Sequence, residues 1–180
     1  MHFFLVTVLS FGIVLGNYVM LRPANNELEE ERGYEPDKTP NRPNQQQIAF
    51  TAVRSNDTQP CYNHTTPLAF QQTVTLLPGT SFDLKNGTFT CTVPGTYAFS
   101  FSVNKNGPGP AIVLFVHLKK NKEIIVSACS RFPSHYEQLS GSAVLVLERA
   151  DEVYLTVYGS VAGGGDYHFI SFTGFLLYAS

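Results

Sequence analysis

Residues 87–104 decide the fold: Gly87-Thr88-Phe89-Thr90-Cys91-Thr92-Val93-Pro94-Gly95-Thr96-Tyr97-Ala98-Phe99-Ser100-Phe101-Ser102-Val103-Asn104. Apolar Phe89, Cys91 and Val93 alternate with threonines, the period of a half-buried strand, and Pro94-Gly95 separates this run from a second strand over 96–104. Just upstream, Asn86-Gly87 lies between Phe82-Asp83-Leu84 and Thr88-Phe89-Thr90. Asn-Gly favours a type I′ turn, whose twist matches that of the flanking strands. A hairpin followed by a Pro-Gly break and another strand is an all-β signature.

The same texture extends from residue 48 to the C-terminus. Strands are expected over 48–54, 68–76, 88–92, 96–104, 111–119, 123–129, 142–148, 152–158 and 168–178. Asn106-Gly107-Pro108-Gly109-Pro110 and Ala162-Gly163-Gly164-Gly165-Asp166 mark further breaks. Nine or ten short strands are the number of a jelly-roll β-sandwich. Charged residues make up only 14% of the 180, which disfavours long amphipathic helical bundles, while 43% hydrophobic residues argue for a packed core.

Two runs, Ala111-Ile112-Val113-Leu114-Phe115-Val116 and Phe172-Thr173-Gly174-Phe175-Leu176-Leu177-Tyr178, are apolar on consecutive positions. Both faces of such strands are expected to be covered, and a two-sheet sandwich of this size covers one. Another chain must cover the second, so an obligate oligomer is expected.

Upstream of the sandwich, MHFFLVTVLSFGIVLG over residues 1–16 reads as a secretory signal peptide, too short to span a bilayer as a helix. Residues 17–47 are polar, punctuated by Pro23, Pro36, Pro40 and Pro43, and read as a flexible stalk without collagen repeats. The 48–180 remainder is the globular domain, and no membrane span is expected in the mature chain. Secretion fits three N-x-[ST] sequons, at Asn56, Asn63 and Asn86. The formal charge of −2 resides in the stalk, which leaves the domain neutral and without the basic stripe that binds phosphates. Nucleic acid is therefore not an expected partner.

With only Cys61, Cys91 and Cys129, packing must carry the fold. Cys91 reads as a buried small hydrophobe, which leaves Cys61 and Cys129 as the residues able to form a disulfide. No G-x-S-x-G, H-E-x-x-H or C-x-x-C occurs, and His64, His117, His135 and His168 are scattered. His117, in an apolar run, reads as a satisfied interior histidine. Asp151 and Glu152 point to opposite sides of a strand and cannot form an acid/base couple. No catalytic residues are assigned, and the chain is not expected to be an enzyme.

Five segments, in order, resemble the globular-head domain of complement C1q, a jelly roll shared with the tumour necrosis factor superfamily. They are Ile48-Ala49-Phe50-Thr51-Ala52-Val53-Arg54, residues 87–99, Leu139-Ser140-Gly141-Ser142-Ala143-Val144-Leu145-Val146-Leu147, Asp151-Glu152-Val153-Tyr154-Leu155 and Phe172-Thr173-Gly174-Phe175-Leu176-Leu177-Tyr178. On that resemblance Phe50, Phe89, Tyr97, Phe99, Leu145, Leu155, Phe172 and Phe175 fill the sandwich, while Gly87, Gly95 and Gly174 permit close backbone geometry. Tyr154 stands where the family usually has Trp, and the collagen region of the founding members is missing. The resemblance implies a homotrimer.

It also implies Ca²⁺ as a candidate cofactor near the three-fold axis, with Glu137 before Gln138-Leu139-Ser140-Gly141-Ser142 as the acidic ligand. Candidate ligand-binding residues lie in two loops rich in aromatic and polar side chains: Arg131, His135 and Tyr136 in one, Asp166, Tyr167 and His168 in the other. The expected function is a secreted, extracellular trimer of innate immune type that recognises carbohydrate or other surface patterns. The alternative is a secreted signalling ligand for a cell-surface receptor, as in cerebellin-like and adiponectin-like relatives.

Overall fold

A computed structural model describes residues 46–58, 61–62, 65–106, 113–131 and 136–180. The expected leader, the stalk as far as residue 45, the Asn63 sequon, His64, His135 and the 107–110 part of the Gly-Pro turn lie outside the described residues.

Ten strands form two five-stranded antiparallel sheets. In chain order they are β1 (Ala49–Arg54), β2 (Gln72–Leu76), β3 (Ser81–Asp83), β4 (Thr88–Thr90), β5 (Gly95–Asn104), β6 (Leu114–Lys120), β7 (Glu123–Ser130), β8 (Gln138–Leu147), β9 (Glu152–Tyr158) and β10 (Ile170–Ala179). One sheet is ordered β2-β1-β10-β5-β8 and the other β3-β4-β9-β6-β7, the jelly-roll arrangement. Their inner faces enclose an aromatic centre in which Phe50 packs on Phe82, Phe89, Phe99 and Phe172 at ring separations of 4.3 to 6.4 Å. Burial of such rings is the main favourable term in the fold. Leu145 packs against this core while half-buried, and Cys91 is buried beside it. Phe175 departs from the expected core: it points to the outer side of its sheet and is 43% exposed.

Three boundaries differ from the sequence reading. Residues 68–71 are not strand. The Leu68 N–H donates to the Leu155 carbonyl at 2.8 Å and the Phe70 N–H to Leu84 at 2.9 Å, so Leu68 and Phe70 enter the core from a connection that crosses to the second sheet. The hairpin before β4 is not a two-residue turn, since Asp83 pairs with Thr88 and four residues connect them. A type I′ turn needs positive φ at both central residues, yet only Gly87, at +59°, adopts it. The Asp83 carboxylate instead accepts from the Lys85 N–H at 2.9 Å and the Asn86 amide at 2.7 Å, and so holds the longer loop. Finally, β8 begins at Gln138, which puts Ser140-Gly141-Ser142 in mid-strand; a Cβ on Gly141 would lie 2.7 Å from the Phe101 ring, so this glycine makes room for the core.

The two apolar runs behave differently. On β6, Leu114, Val116 and Leu118 face inward and are fully buried, and outward-facing His117 is also buried, its Nδ1 2.7 Å from the Ser127 hydroxyl. On β10, Phe175, Leu177 and Tyr178 are exposed, so this chain leaves open the face that the sequence expected to be covered. The cross-strand registers place Ala49, Phe175, Ala98 and Val144 in one outward row across β1, β10, β5 and β8. The next row toward the other end is Thr51, Thr173, Ser100 and Ser142, with the two threonine hydroxyls 3.1 Å apart. The outer face of this sheet thus changes from apolar to hydroxyl-lined along the strands.

None of the three cysteines is in a disulfide. A bridge between Cys61 and Cys129 is excluded by the sheet order. Cys129 pairs with Phe115 on β6, Phe115 pairs with Tyr158 on β9, and Cys61 pairs with Gly159 on the far side of β9. Three strand spacings amount to about 14 Å, well beyond the reach of a disulfide.

Candidate functional site

β1, β5, β7 and β9 end, and β2, β6, β8 and β10 begin, at one end of the sandwich, so the connections between them form an apex. Backbone pairing ties these connections together. Thr58 and Val161 exchange bonds, the Thr58 N–H reaching the Val161 carbonyl and the Val161 N–H the Thr58 hydroxyl, each at 3.0 Å. The Asp57 carboxylate accepts from the Gly163 N–H at 2.9 Å, and Lys105, 2% exposed, bridges Val161 and donates its N–H to the Glu137 carbonyl. Gly163 lies so close to the 55–56 backbone that a Cβ would sit 2.2 Å from Ser55. Behind this layer Arg54 donates from Nε, Nη1 and Nη2 to the carbonyls of Asn56, Ala69 and Asp57 at 2.8, 2.7 and 3.3 Å. Burial lowers its pKa, with the charge of Asp57 opposing that shift.

The apex carries two neighbouring depressions. The larger is an open groove of about 500 Å³, lined by Asp57, Asn104, Asn106, Tyr136, Gly164 and Phe169 among others. Its volume is within the range of small-ligand sites. Tyr136 is 62% exposed, and Phe169 stacks on Tyr167 with ring centroids 6.0 Å apart and planes 16° apart. Asn104 donates its amide N–H to Gln138 Oε1 at 3.0 Å, while its own Oδ1 is buried with no hydrogen-bond partner. Gln138 in turn donates to the Phe169 carbonyl at 3.0 Å, which fixes the wall between the depressions. The second depression, about 440 Å³, is lined by Cys129, Ser130, Arg131, Glu137, Gln138 and Leu139.

The structure therefore divides the residues that the sequence grouped. Tyr136 lines the groove, and Tyr167 flanks it through Phe169. Arg131 and Glu137 belong to the second depression, where the Arg131 guanidinium lies 5.8 Å from the Phe115 ring centroid. Asp166 is exposed in the short 3-10 turn Gly165–Tyr167, and His168, at φ +48°, has its Nε2 3.2 Å from the Gln72 amide. Asp57, Asn104, Asn106 and Phe169 were not expected from sequence. They come from three connections and one strand end, and no local pattern joins them.

Ca²⁺ needs six to eight oxygens. The Glu137 carboxylate accepts from the Ser130 hydroxyl, and among the described residues no three His, Cys, Asp or Glu side chains converge. One chain brings a single carboxylate to that place, so by itself it does not fit the ion.

Comparisons with known proteins agree on what this architecture is similar to. A family model described as C1q domain matches residues 49–177. Caprin-2 of Danio rerio is 35% identical over 136 residues, which cover 74% of this chain and 14% of that protein. The chain thus spans a small part of that relative's length. Among solved structures, the globular domain of zebrafish complement 1qA is 28% identical with a TM-score of 0.58, over 74% of this chain and 99% of that one. Murine APRIL at pH 5.0 has a TM-score of 0.57 at 13% identity, over 73% of this chain and 100% of that one, a likeness of fold alone.

Proposed function

This chain belongs to the C1q-domain family, and from that premise we propose that it is a secreted, homotrimeric recognition protein of innate immune type that binds carbohydrate patterns through its apical groove. Proteins of this family act in general as trimeric ligand-binding proteins and not as enzymes. The observation that carries the carbohydrate reading is the groove itself. Aromatic Tyr136 and Phe169 stand beside Asp57, Asn104 and Asn106, the combination of flat apolar faces and hydrogen-bonding groups that a sugar ring requires. The outward row Ala49-Phe175-Ala98-Val144, with exposed Val146 and Tyr178 beside it, supplies the self-association surface, whose occupants are two further copies of this chain. Three grooves on one trimer convert weak single-site contacts into avidity. Among the described residues no helix is long and apolar enough to cross a membrane.

Light scattering of the chain expressed through a secretory route should give the mass of three chains, and a glycan array should show binding that Tyr136→Ala and Phe169→Ala remove. A monomer refutes the assembly. Stoichiometric binding to one membrane protein, with no sugar competing, refutes carbohydrate recognition in favour of receptor signalling.

A further inference from the structure

The sequon Asn56-Asp57-Thr58 lies within the apical layer, and its middle residue lines the groove. Folding fixes its backbone. The Asn56 carbonyl accepts from Arg54 Nε at 2.8 Å, the Asp57 carboxylate accepts from the Gly163 N–H at 2.9 Å, and Thr58 exchanges bonds with Val161 at 3.0 Å in each direction. Asn56 itself is exposed. A glycan attached there is one Cα spacing, about 3.8 Å, from Asp57. A Cβ on Gly163 would lie 2.5 Å from the Asn56 nitrogen, and the next residue, Gly164, also lines the groove, so Asn56 borders it from two connections. In the folded chain the Thr58 hydroxyl, which the sequon needs for modification, is taken by the Val161 N–H. Val161 lies 103 residues later, so at ~5–20 residues per second the sequon stays unpaired for about 5–20 s of synthesis. Modification has to come before the connection after β9 closes on it.

We propose that a glycan on Asn56 stands at the rim of the groove and keeps bulky ligands off it, a regulation that rests on the carbohydrate reading above. In the transfer, Asn56 Nδ2 forms a bond to C1 of an oligosaccharide and gives up a proton, while the lipid pyrophosphate that carried the sugar leaves with the electron pair of the C1–O bond. The product is a bulky, flexible chain tethered beside Asp57. A short oligosaccharide occupies the groove and little else. A polymer extends past the rim and must confine the tethered glycan, which costs conformational freedom. Chains with the glycan therefore favour short or terminal sugars, and chains without it bind polymers as well. Because the transfer precedes folding, the two forms are fixed when the chain is made.

The test uses the full chain secreted with high-mannose glycans, its Asn56→Gln and Asn86→Gln variants, and immobilised mannan, chitin, laminarin and heparin, each paired with a short oligosaccharide of the same sugar in solution. Glycopeptide mass spectrometry reads the occupancy of Asn56. Asn56→Gln should bind the recognised polymer about tenfold more tightly than the parent, with short-sugar affinity unchanged within about twofold, the pattern of a removed steric tether. Asn86→Gln, in the β3–β4 loop at the edge of the other sheet, should leave both affinities as in the parent. Endoglycosidase trimming of the parent to a single N-acetylglucosamine needs no variant and should reproduce the gain. Equal polymer binding by parent and Asn56→Gln, a trimming gain that persists undiminished in Asn56→Gln, or an unoccupied Asn56 overturns the shield while carbohydrate recognition stands. Failure of every form to bind any probe overturns both.

Discussion

Gly87 and Gly165 form a matched pair for testing the packing argument. Their φ values are +59° and +56°, so alanine brings nearly the same backbone strain to each, about 1–2 kcal/mol, partly offset by a less flexible unfolded chain. Their surroundings differ completely. A Cβ on Gly165 meets nothing within 4 Å, whereas one on Gly87 would lie 1.9 Å from the Leu68 carbonyl oxygen and 3.3 Å from the Phe70 ring. Backbone cannot rotate away as a side-chain tip can, so the 68–70 segment must shift. With it goes part of the burial of Leu68 and Phe70, both 4% exposed and each contributing about 1.5–3 kcal/mol. Gly165→Ala should therefore cost about 1 kcal/mol and Gly87→Ala about 3–5 kcal/mol, read as midpoints of urea unfolding followed by fluorescence. Equal costs for the two variants, within 1 kcal/mol, would refute the account of Leu68 and Phe70 as core residues held by the close approach at Gly87.

Asp151 governs acid stability at the opposite end of the sandwich. Burial alone would raise its pKa, but hydrogen bonds from Asn121, the Glu148 N–H and Lys120, with the charge of Lys120 at 3.0 Å, hold it below the usual aspartate value. A depressed folded-state pKa stabilises the fold above the unfolded value of about 3.9 and loses that contribution as pH falls through the folded value. Asp151→Asn should cost about 1–2 kcal/mol at pH 7 and nothing near pH 2, measured by thermal unfolding across pH. Expressed through a secretory route, the chain should carry glycan at Asn56 and Asn63 more fully than at Asn86, whose amide is held by Asp83 in a tight loop; glycopeptide mass spectrometry measures the three occupancies. Chelation tests Glu137: a trimer mass that falls only when divalent cations are removed supports shared Ca²⁺, and an unchanged mass removes it from the assembly.

The sandwich was legible because its core strands announce themselves locally. Phe89 alternates with threonines, Tyr97, Phe99 and Phe101 alternate with small residues, and Gly95 and Gly174 occupy places where a Cβ would meet the Tyr178 carbonyl at 2.4 Å or the Phe50 and Phe99 rings at 2.6 Å. The errors fall where tertiary context overrides the local pattern. Leu68 and Phe70 have strand periodicity but pair across to Leu155 and Leu84, and Ser140 and Gly141, outside the strand expected over 142–148, pair with Ser102 and Phe101. Phe175 has core composition, and its register beside Ala49 and Ala98 turns it outward. The candidate site was legible by half for a related reason. Composition picks out Tyr136 and Tyr167, but only the Thr58–Val161 and Lys105–Val161 pairings bring Asp57 and Asn104 alongside them. Such long-range juxtaposition leaves no periodicity in a single sequence.

The proposed assembly and recognition surfaces are separable, because they lie at opposite ends of one sheet. Val144, 64% exposed in the apolar row, lies six residues along β8 from Gln138, which braces the groove wall, and a strand rise of about 3.3 Å per residue puts about 20 Å between them. Val144→Asp places an unpaired carboxylate in the proposed trimer contact, a cost of about 2–5 kcal/mol per contact and enough to dissociate a complex at micromolar concentration. The variant should sediment as a monomer. Its affinity for a soluble monosaccharide should match the parent's within twofold, because the groove is untouched, while binding to a sugar-coated surface should fall about a hundredfold with the loss of avidity. If soluble-sugar affinity falls in step with surface binding, the groove is completed by a neighbouring chain, and the view of each chain as an independent binding unit is wrong.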